Sequence, residues 1–206
     1  FQVKVGDNFE RMEAAMRQGL ERSDAVICCG GLGPTQDDIT REVIARIMGV
    51  ELERDEAIVA RIRAMFESRG RVMTDNNKRQ ADIPLGASPI AEMPVTAPGL
   101  VCPLGDKVIY AVPGVPREMK EMMAGTILPD LQRRSGETAV IRSRGIRTWG
   151  HSESGLAEML APRIDELDGT GNPTLAFQAS GIEGLKIRIT AKAGDEAAAE
   201  EIIAAE

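Results

Sequence analysis

The chain has 206 residues, 43% hydrophobic and 28% charged, which excludes disorder and collagen-like repeats and suits one large or two small globular units. Its 25 Lys and Arg against 32 Asp and Glu give a formal net charge of −7, which argues against a general nucleic-acid binder but not against a small phosphorylated ligand in a local pocket. Apolar runs are short, such as AVICC at 25–29, and none approaches the ~20 residues of a membrane helix.

In chain order, FQVKV alternates as a strand over 2–5, and Asn8 can cap a helix with Met12, Ala15, Met16 and Leu20 at helical spacing. DAVICC at 24–29 reads as a buried parallel strand, GGLGPTQ as a loop, and Asp37 to Met48 as a helix stopped by Gly49. Asp55 caps a helix through Ile58, Ile62, Met65 and Phe66 to Gly70, and Thr74 opens a shorter polar helix, DNNKRQA, stopped near Pro84. GLVCPL and KVIYAV form a hairpin around Gly105-Asp106, and a helix follows at 116–132 whose Met119, Met122 and Met123 are core filling. A strand at 138–147, a helix from Ser152 to Leu167, strands at 174–179 and 184–191, and a helix from Asp195 complete the chain. Ala197, Ala198, Ile202 and Ile203 are the expected inner face of that last helix. Strand–helix alternation over 1–134 predicts an α/β domain with a mainly parallel sheet, and the order after about residue 140 predicts a small α+β unit. The chain opens inside a strand-like stretch and ends inside a helical one, so it reads as a fragment cut at both ends.

Two segments carry the chemistry: GGLGPTQDD at 30–38 and PGVPRE at 113–118, each between a buried strand and a helix. Strand-to-helix turns of a parallel sheet share its carboxyl edge, so these two turns are expected to face each other across one crevice. Gly30, Gly31 and Gly33 let backbone N–H groups approach a ligand, and the helix N-terminus adds positive potential, which together make an anion site. Neither the dinucleotide fingerprint nor a P-loop is complete. Asp37 and Asp38 have two readings: helix capping, for which Thr35-x-x-Asp38 has the spacing, or a hard cation bridging carboxylate and phosphate oxygens. Spacing alone favours capping. Pro116 suits a first helical turn, Asn76, Asn77, Lys78 and Gln80 form a solvated helix face unless that helix covers the crevice, and His151 is a loop residue. Three Cys and one His make no zinc site, and Cys28, Cys29 and Cys102 read as buried free thiols in a reducing cytosol. Four Phe, one Tyr and one Trp offer no platform for stacking bases.

GGLGPTQDDITRE, NNKRQADIPLGA, TAPG, YAVPGVPREMKEM and WGHSESGLAEML, in this order, resemble the N-terminal region of the CinA (competence/damage-inducible) family, over nearly the whole chain. The resemblance implies a three-layer α/β/α molybdopterin-binding-like domain at 1–137, lacking its first strand and a Gly-Glu-Leu-Leu-type loop. A truncated KH-like α+β unit at 138–206 would follow it. It implies metal-dependent, K⁺-stimulated hydrolysis of the diphosphate of ADP-ribose or a related nucleoside diphosphate compound, with Mg, Mn or Co as the divalent metal. A molybdopterin- or nucleotide-binding module with little catalysis is the alternative. The residues implied are Asp37 and Asp38 for catalysis and metal, and Gly30, Gly31, Gly33, Thr35, Asn77, Gln80, Thr96, Pro113, Gly114, Val115 and Pro116 for substrate. Within the wider fold group, the functionally important aspartate stands two before a Thr, which matches Asp38. The sequence departs from the family pattern at Val95 and Ser152, where the family usually has Gly. The expected setting is a cytoplasmic homodimer without nucleic-acid or membrane partners. The nicotinamide-mononucleotide deamidase domain of full-length members is absent and is not assigned.

Overall fold

The apolar run AVICC forms strand β1 (Ala25–Cys29), and KVIYAV forms β6 (Lys107–Val112); the two pair in parallel from Ala25–Val108 to Cys29–Val112. The computed structural model describes residues 1–90, 97–179 and 184–206. The backbone divides into two compact units, Phe1–Arg134 and Ser135–Glu206.

In the first unit the sheet order is β1-β6-β5-β4, with β5 (Leu100–Leu104) and β4 (Ser88–Pro89) antiparallel to their neighbours. The sheet is therefore mixed, where a mainly parallel one was expected. The reason is the hairpin at Gly105, whose φ of 61° suits glycine and returns β5 antiparallel beside β6. Alternation along β6 loads both faces. Ile109 and Ala111 join Met16 and Leu20 of helix α1 (Phe9–Arg22), Val43, Ile44 and Ile47 of α2 (Thr40–Met48), and Ile58, Val59 and Ile62 of α3 (Glu56–Glu67). Val108, Tyr110 and Val112 pack on the opposite face against Met122 of α4 (Pro116–Met122) and Ile127. A sheet with one core on each face makes three layers. A π-helical turn over Met123–Ile127 joins α4 to α5 (Leu128–Ser135) in one continuous rod.

Helix ends follow the sequence. Asn8 accepts from the N–H of Arg11, Asp55 accepts from those of Ala57 and Ile58, and Gly49 ends α2 at φ 70°. Three features depart from expectation. Residues 2–5 form no strand and are exposed, because alternation supplies a face but not a neighbour to take the backbone hydrogen bonds. The segment DNNKRQA is a 3₁₀ helix, Asp75–Ala81, and the antiparallel pair β2 (Leu52–Arg54) and β3 (Asp82–Pro84) flanks it unforeseen. Helix α2 starts at Thr40, three residues after Asp37.

The second unit is an antiparallel sheet of β7 (Val140–Thr148), β8 (Thr174–Ala179) and β9 (Leu185–Ala193), ordered β7-β9-β8, with helices α6 (Glu153–Thr170) and α7 (Glu196–Ala204). Ser152 caps α6 and Asp195 caps α7. The core here is Ile189, Ala191 and Ile203 with Ile202 and Leu175. On α7 the inner face falls at Ala199 rather than Ala197, which is exposed, because the helix rotates to bring Ile203 and the residue one turn before it inward.

Candidate functional site

The turns after β1 and β6 emerge at the same sheet edge and touch. The N–H of Gly30 donates to the carbonyl of Val112 at 2.9 Å, and the thiol of Cys29 donates to the carbonyl of Pro113 at 3.5 Å. A methyl built on Gly114 would lie 3.8 Å from the Cα of Gly30. At Gly30 it is the backbone, at φ 99°, that calls for glycine.

From Gly30 the chain curls over the start of α2. The Thr40 hydroxyl donates to the Gly30 carbonyl at 2.9 Å and the Thr40 N–H to the Gly31 carbonyl at 3.2 Å. Gly31 sits at φ 68°, and a Cβ there would meet Thr40 Oγ1 at 2.2 Å, so no other residue fits without displacing the Thr40 side chain from its bond to Gly30. Arg41, 1% exposed, sends Nη1 to the Leu32 carbonyl at 2.6 Å and Nη2 to the Gly33 carbonyl at 2.7 Å. Burial pulls its guanidinium pKa down, against the charges of Glu42 and Asp38, and it stays a cation at any working pH. Its Nε is buried with no hydrogen-bond partner, so the fork is held by the loop carbonyls rather than by a carboxylate. Among the described residues no acceptor takes the N–H of Gly31 or Leu32, which leaves two successive donors in a glycine turn, the arrangement of an anion nest.

The tip of the loop closes on itself. Asp38 Oδ2 accepts the N–H of Thr35 at 2.9 Å and its hydroxyl at 2.5 Å, while the Asp38 N–H returns to the Thr35 carbonyl at 3.2 Å. Burial pushes the Asp38 carboxyl up, but the bonds from Thr35 and Gly33 and the nearby Arg41 outweigh it and hold the pKa below the usual carboxylate range. Asp38 is thus an ionised loop-closing residue. It caps no helix, because α2 begins two residues later after Ile39, without a side-chain cap. Gly33 is required for this closure, since a Cβ would meet Asp38 Oδ2 at 2.4 Å. Asp37 lies beside it, exposed.

The other expected site residues divide. Gly30, Gly31, Gly33, Thr35, Asp37 and Asp38 share the first loop, and Pro113, Gly114, Val115 and Pro116 form the second, with Pro113 buried and the last three exposed. Asn77 and Gln80 are buried rather than on a solvated face, and Asn77 spends its amide on the Thr74 hydroxyl at 2.6 Å, inside its own turn. Thr96, with Val95, lies outside the described residues. A cavity of about 750 Å³ reaches Cys29, Gly30, Gly31 and Thr40, but it runs along the open edge of β1 beside Phe1–Val5 and α1, not between the two turns. Among the described residues no three His, Cys, Asp or Glu side chains gather for a metal, so a cation would have at most the Asp37–Asp38 pair and would need phosphate and water to complete its shell. Two hard oxygen donors, one of them held ionised, fit such a cation. Burial pushes the Cys28 and Cys102 thiols up to about 12, with the neighbouring cysteine adding to it, so both stay protonated and inert. Strand β1 is not buried as expected: Cys28 is half-buried and Ile27 and Cys29 are exposed, because β1 is an edge strand and Cys29 ends it at the rim.

Residues 1–133 match the family model described as probable molybdopterin binding domain, and residues 143–206 match the damage-inducible protein CinA KH domain. The chain belongs to the molybdopterin-binding domain family, in its CinA branch. A CinA-like protein of Frankia casuarinae is 47% identical over 205 residues, covering 97% of this chain and 47% of the relative. A CinA-like protein of Synechococcus elongatus is 42% identical, covering 99% of this chain and 48% of the relative. The crystal structure of the protein CinA, of unknown function, from Thermoplasma acidophilum superposes with a TM-score of 0.53 at 36% identity, over 63% of this chain and 78% of that one. The chain spans about half the length of the curated relatives it matches. No helix among the described residues is long and apolar enough to cross a membrane.

For this CinA-family chain the sequence reading missed the structural roles of Thr40, Arg41 and Arg79, which build the loop without belonging to its Gly-rich core. Thr40 and Arg41 both stand in the motif GGLGPTQDDITRE, where Thr40 served only as the landmark two residues after Asp38 and Arg41 was given no role. Arg79 comes from a segment 44 residues away and donates to the Thr35 carbonyl at 2.8 Å. No local pattern announces such a bond.

Proposed function

We propose that this site hydrolyses the diphosphate of ADP-ribose or a related nucleoside diphosphate compound, releasing AMP and a sugar phosphate. The observation that carries the reading is the pairing of an ionised Asp38 with a glycine turn whose free N–H groups lie on the same short loop. The N–H groups of Gly31 and Leu32 and the positive end of α2 would hold phosphate oxygens. Asp37 and Asp38 would hold a divalent ion (Mg, Mn or Co), which when bound neutralises the diphosphate and acidifies water. Thr35, locked to Asp38, would keep that carboxylate oriented, and Gly114 and Val115 would wall the opposite side. A bound K⁺ beside the phosphates, and a homodimer measurable by sedimentation, belong to the same proposal.

The test incubates the protein with a panel of nucleoside diphosphate compounds and metals, with and without K⁺, and separates products by chromatography. Release of AMP that requires metal supports the proposal. The second reading is a molybdopterin- or nucleotide-binding module, and it is favoured by the match of residues 1–133 to the family model described as probable molybdopterin binding domain. Intact nucleotide retained with metal present would select that reading.

A further inference from the structure

The tip of the Gly-rich loop is exposed at Thr35, Gln36 and Asp37, yet its geometry is tightly specified. The Thr35 carbonyl accepts two donors: the Asp38 N–H from inside the loop at 3.2 Å, and Arg79 Nη1 from outside at 2.8 Å. The second arm of the same guanidinium, Nη2, binds Glu42 Oε1 on α2 at 2.8 Å. One planar fork therefore spans from the loop tip to the helix that follows the loop. The Thr35 N–H and hydroxyl are committed to Asp38. With the carbonyl held by Arg79, every polar group of Thr35 is fixed, and Asp38 is fixed through it.

We propose that Arg79 is a positioning residue for Asp38, acting through Thr35 and without touching a ligand. It comes from the 3₁₀ helix Asp75–Ala81 and braces the tip of a loop whose base is already held by Thr40 and Arg41, while Thr35 is otherwise bonded only to Asp38. Arginine is required because its rigid fork reaches two acceptors in one plane, whereas a lysine ammonium satisfies one at a time. The assignment rests on Asp38 being the residue that serves the proposed site, but its test needs neither metal nor substrate.

Amide hydrogen exchange on the unliganded protein reads it directly. In Arg79→Ala the N–H groups of Thr35 and Asp38 should exchange about tenfold faster, while those of β1 and β6 stay unchanged. Arg79→Lys should give an intermediate effect, and Glu42→Gln, which keeps an acceptor for Nη2, should stay within about twofold of wild type. In the metal-dependent assay, Arg79→Ala should raise the metal concentration at half-saturation more than it lowers the rate at saturating metal. Unchanged exchange at Thr35 and Asp38 overturns the proposal. So does faster exchange spread evenly over β1 and β6, which would mark Arg79 as a general stabiliser. If the wild type releases no AMP while the local exchange pattern holds, the hydrolase reading fails and the positioning role stands.

Discussion

Thr35 gives both its N–H and its hydroxyl to one oxygen, Oδ2 of Asp38, at 2.9 and 2.5 Å. The two residues have the spacing of a capping box and make one of its bonds, threonine N–H to carboxylate, but the threonine hydroxyl also donates to the aspartate, and no helix starts at Thr35. This changes what a substitution at Asp38 means, because the loop, not a helix end, depends on it.

In Asp38→Asn the amide oxygen can still accept from Thr35, but the charge that strengthens both bonds is gone. The expected loss is about 1 kcal/mol, a fall in Tm of about 2–4 °C by scanning calorimetry. Diphosphate hydrolysis at saturating metal should fall far more, since the neutral amide is a poor ligand for a hard cation. Activity equal to wild type would confine Asp38 to closing the loop.

Arg41→Met keeps the volume of the buried stem and removes the fork, leaving the carbonyls of Leu32 and Gly33 without their donors. Urea denaturation should show a loss of about 2–4 kcal/mol. Arg41→Lys should recover less than half of it, because one ammonium cannot serve both carbonyls in the plane of the fork.

Gly114→Ala adds a methyl at ordinary contact distance, 3.8 Å from the Gly30 Cα, so its Tm should match wild type within about 2 °C. The methyl narrows the space where the two turns meet, and the apparent affinity for a nucleotide should weaken. Gly33→Ala differs in kind: its methyl would take the position of the Asp38 carboxylate and should lower stability and hydrolysis together.

Asp130 anchors α5 in the first unit: Tyr110 donates its hydroxyl to Oδ2 at 2.5 Å, Arg134 donates to the same oxygen at 2.8 Å, and Arg133 pairs with Oδ1. The Tyr110 bond, with the two arginines, holds the Asp130 carboxyl below its usual range against the opposing effect of burial. A carboxylate depressed on folding stabilises the native state above its unfolded pKa of about 3.9, and that stability is lost as pH falls through the folded value. Acid titration of Tyr110→Phe should therefore show unfolding beginning at higher pH than in wild type. The same bond acts on Tyr110 with the opposite sign. Burial first, then the bond to Asp130, pushes its phenol up to about 12, and since the chain has one tyrosine, absorbance titration reads it alone. Ionisation of native protein near the ordinary value of about 10 would contradict the buried pair.

The sequence by itself determined the elements that local chemistry dictates. Asn8, Asp55, Ser152 and Asp195 each supply a side-chain oxygen to a backbone N–H two or three residues on, which needs nothing beyond the adjacent chain. The runs ending at Cys29 and Val112 were legible as parallel strands because both alternate faces are apolar, and with them came the meeting of the two turns. Tertiary structure decided the rest. Residues 2–5 alternate like a strand and are none, and Cys29 is exposed because its strand lies at an edge. The capping spacing of Thr35 and Asp38 was present, yet α2 starts only at Thr40, where Thr40 and Arg41 bind the loop carbonyls. Arg79 was beyond any local reading, because a hydrogen bond across 44 residues is set by packing, and packing is a property of the whole chain.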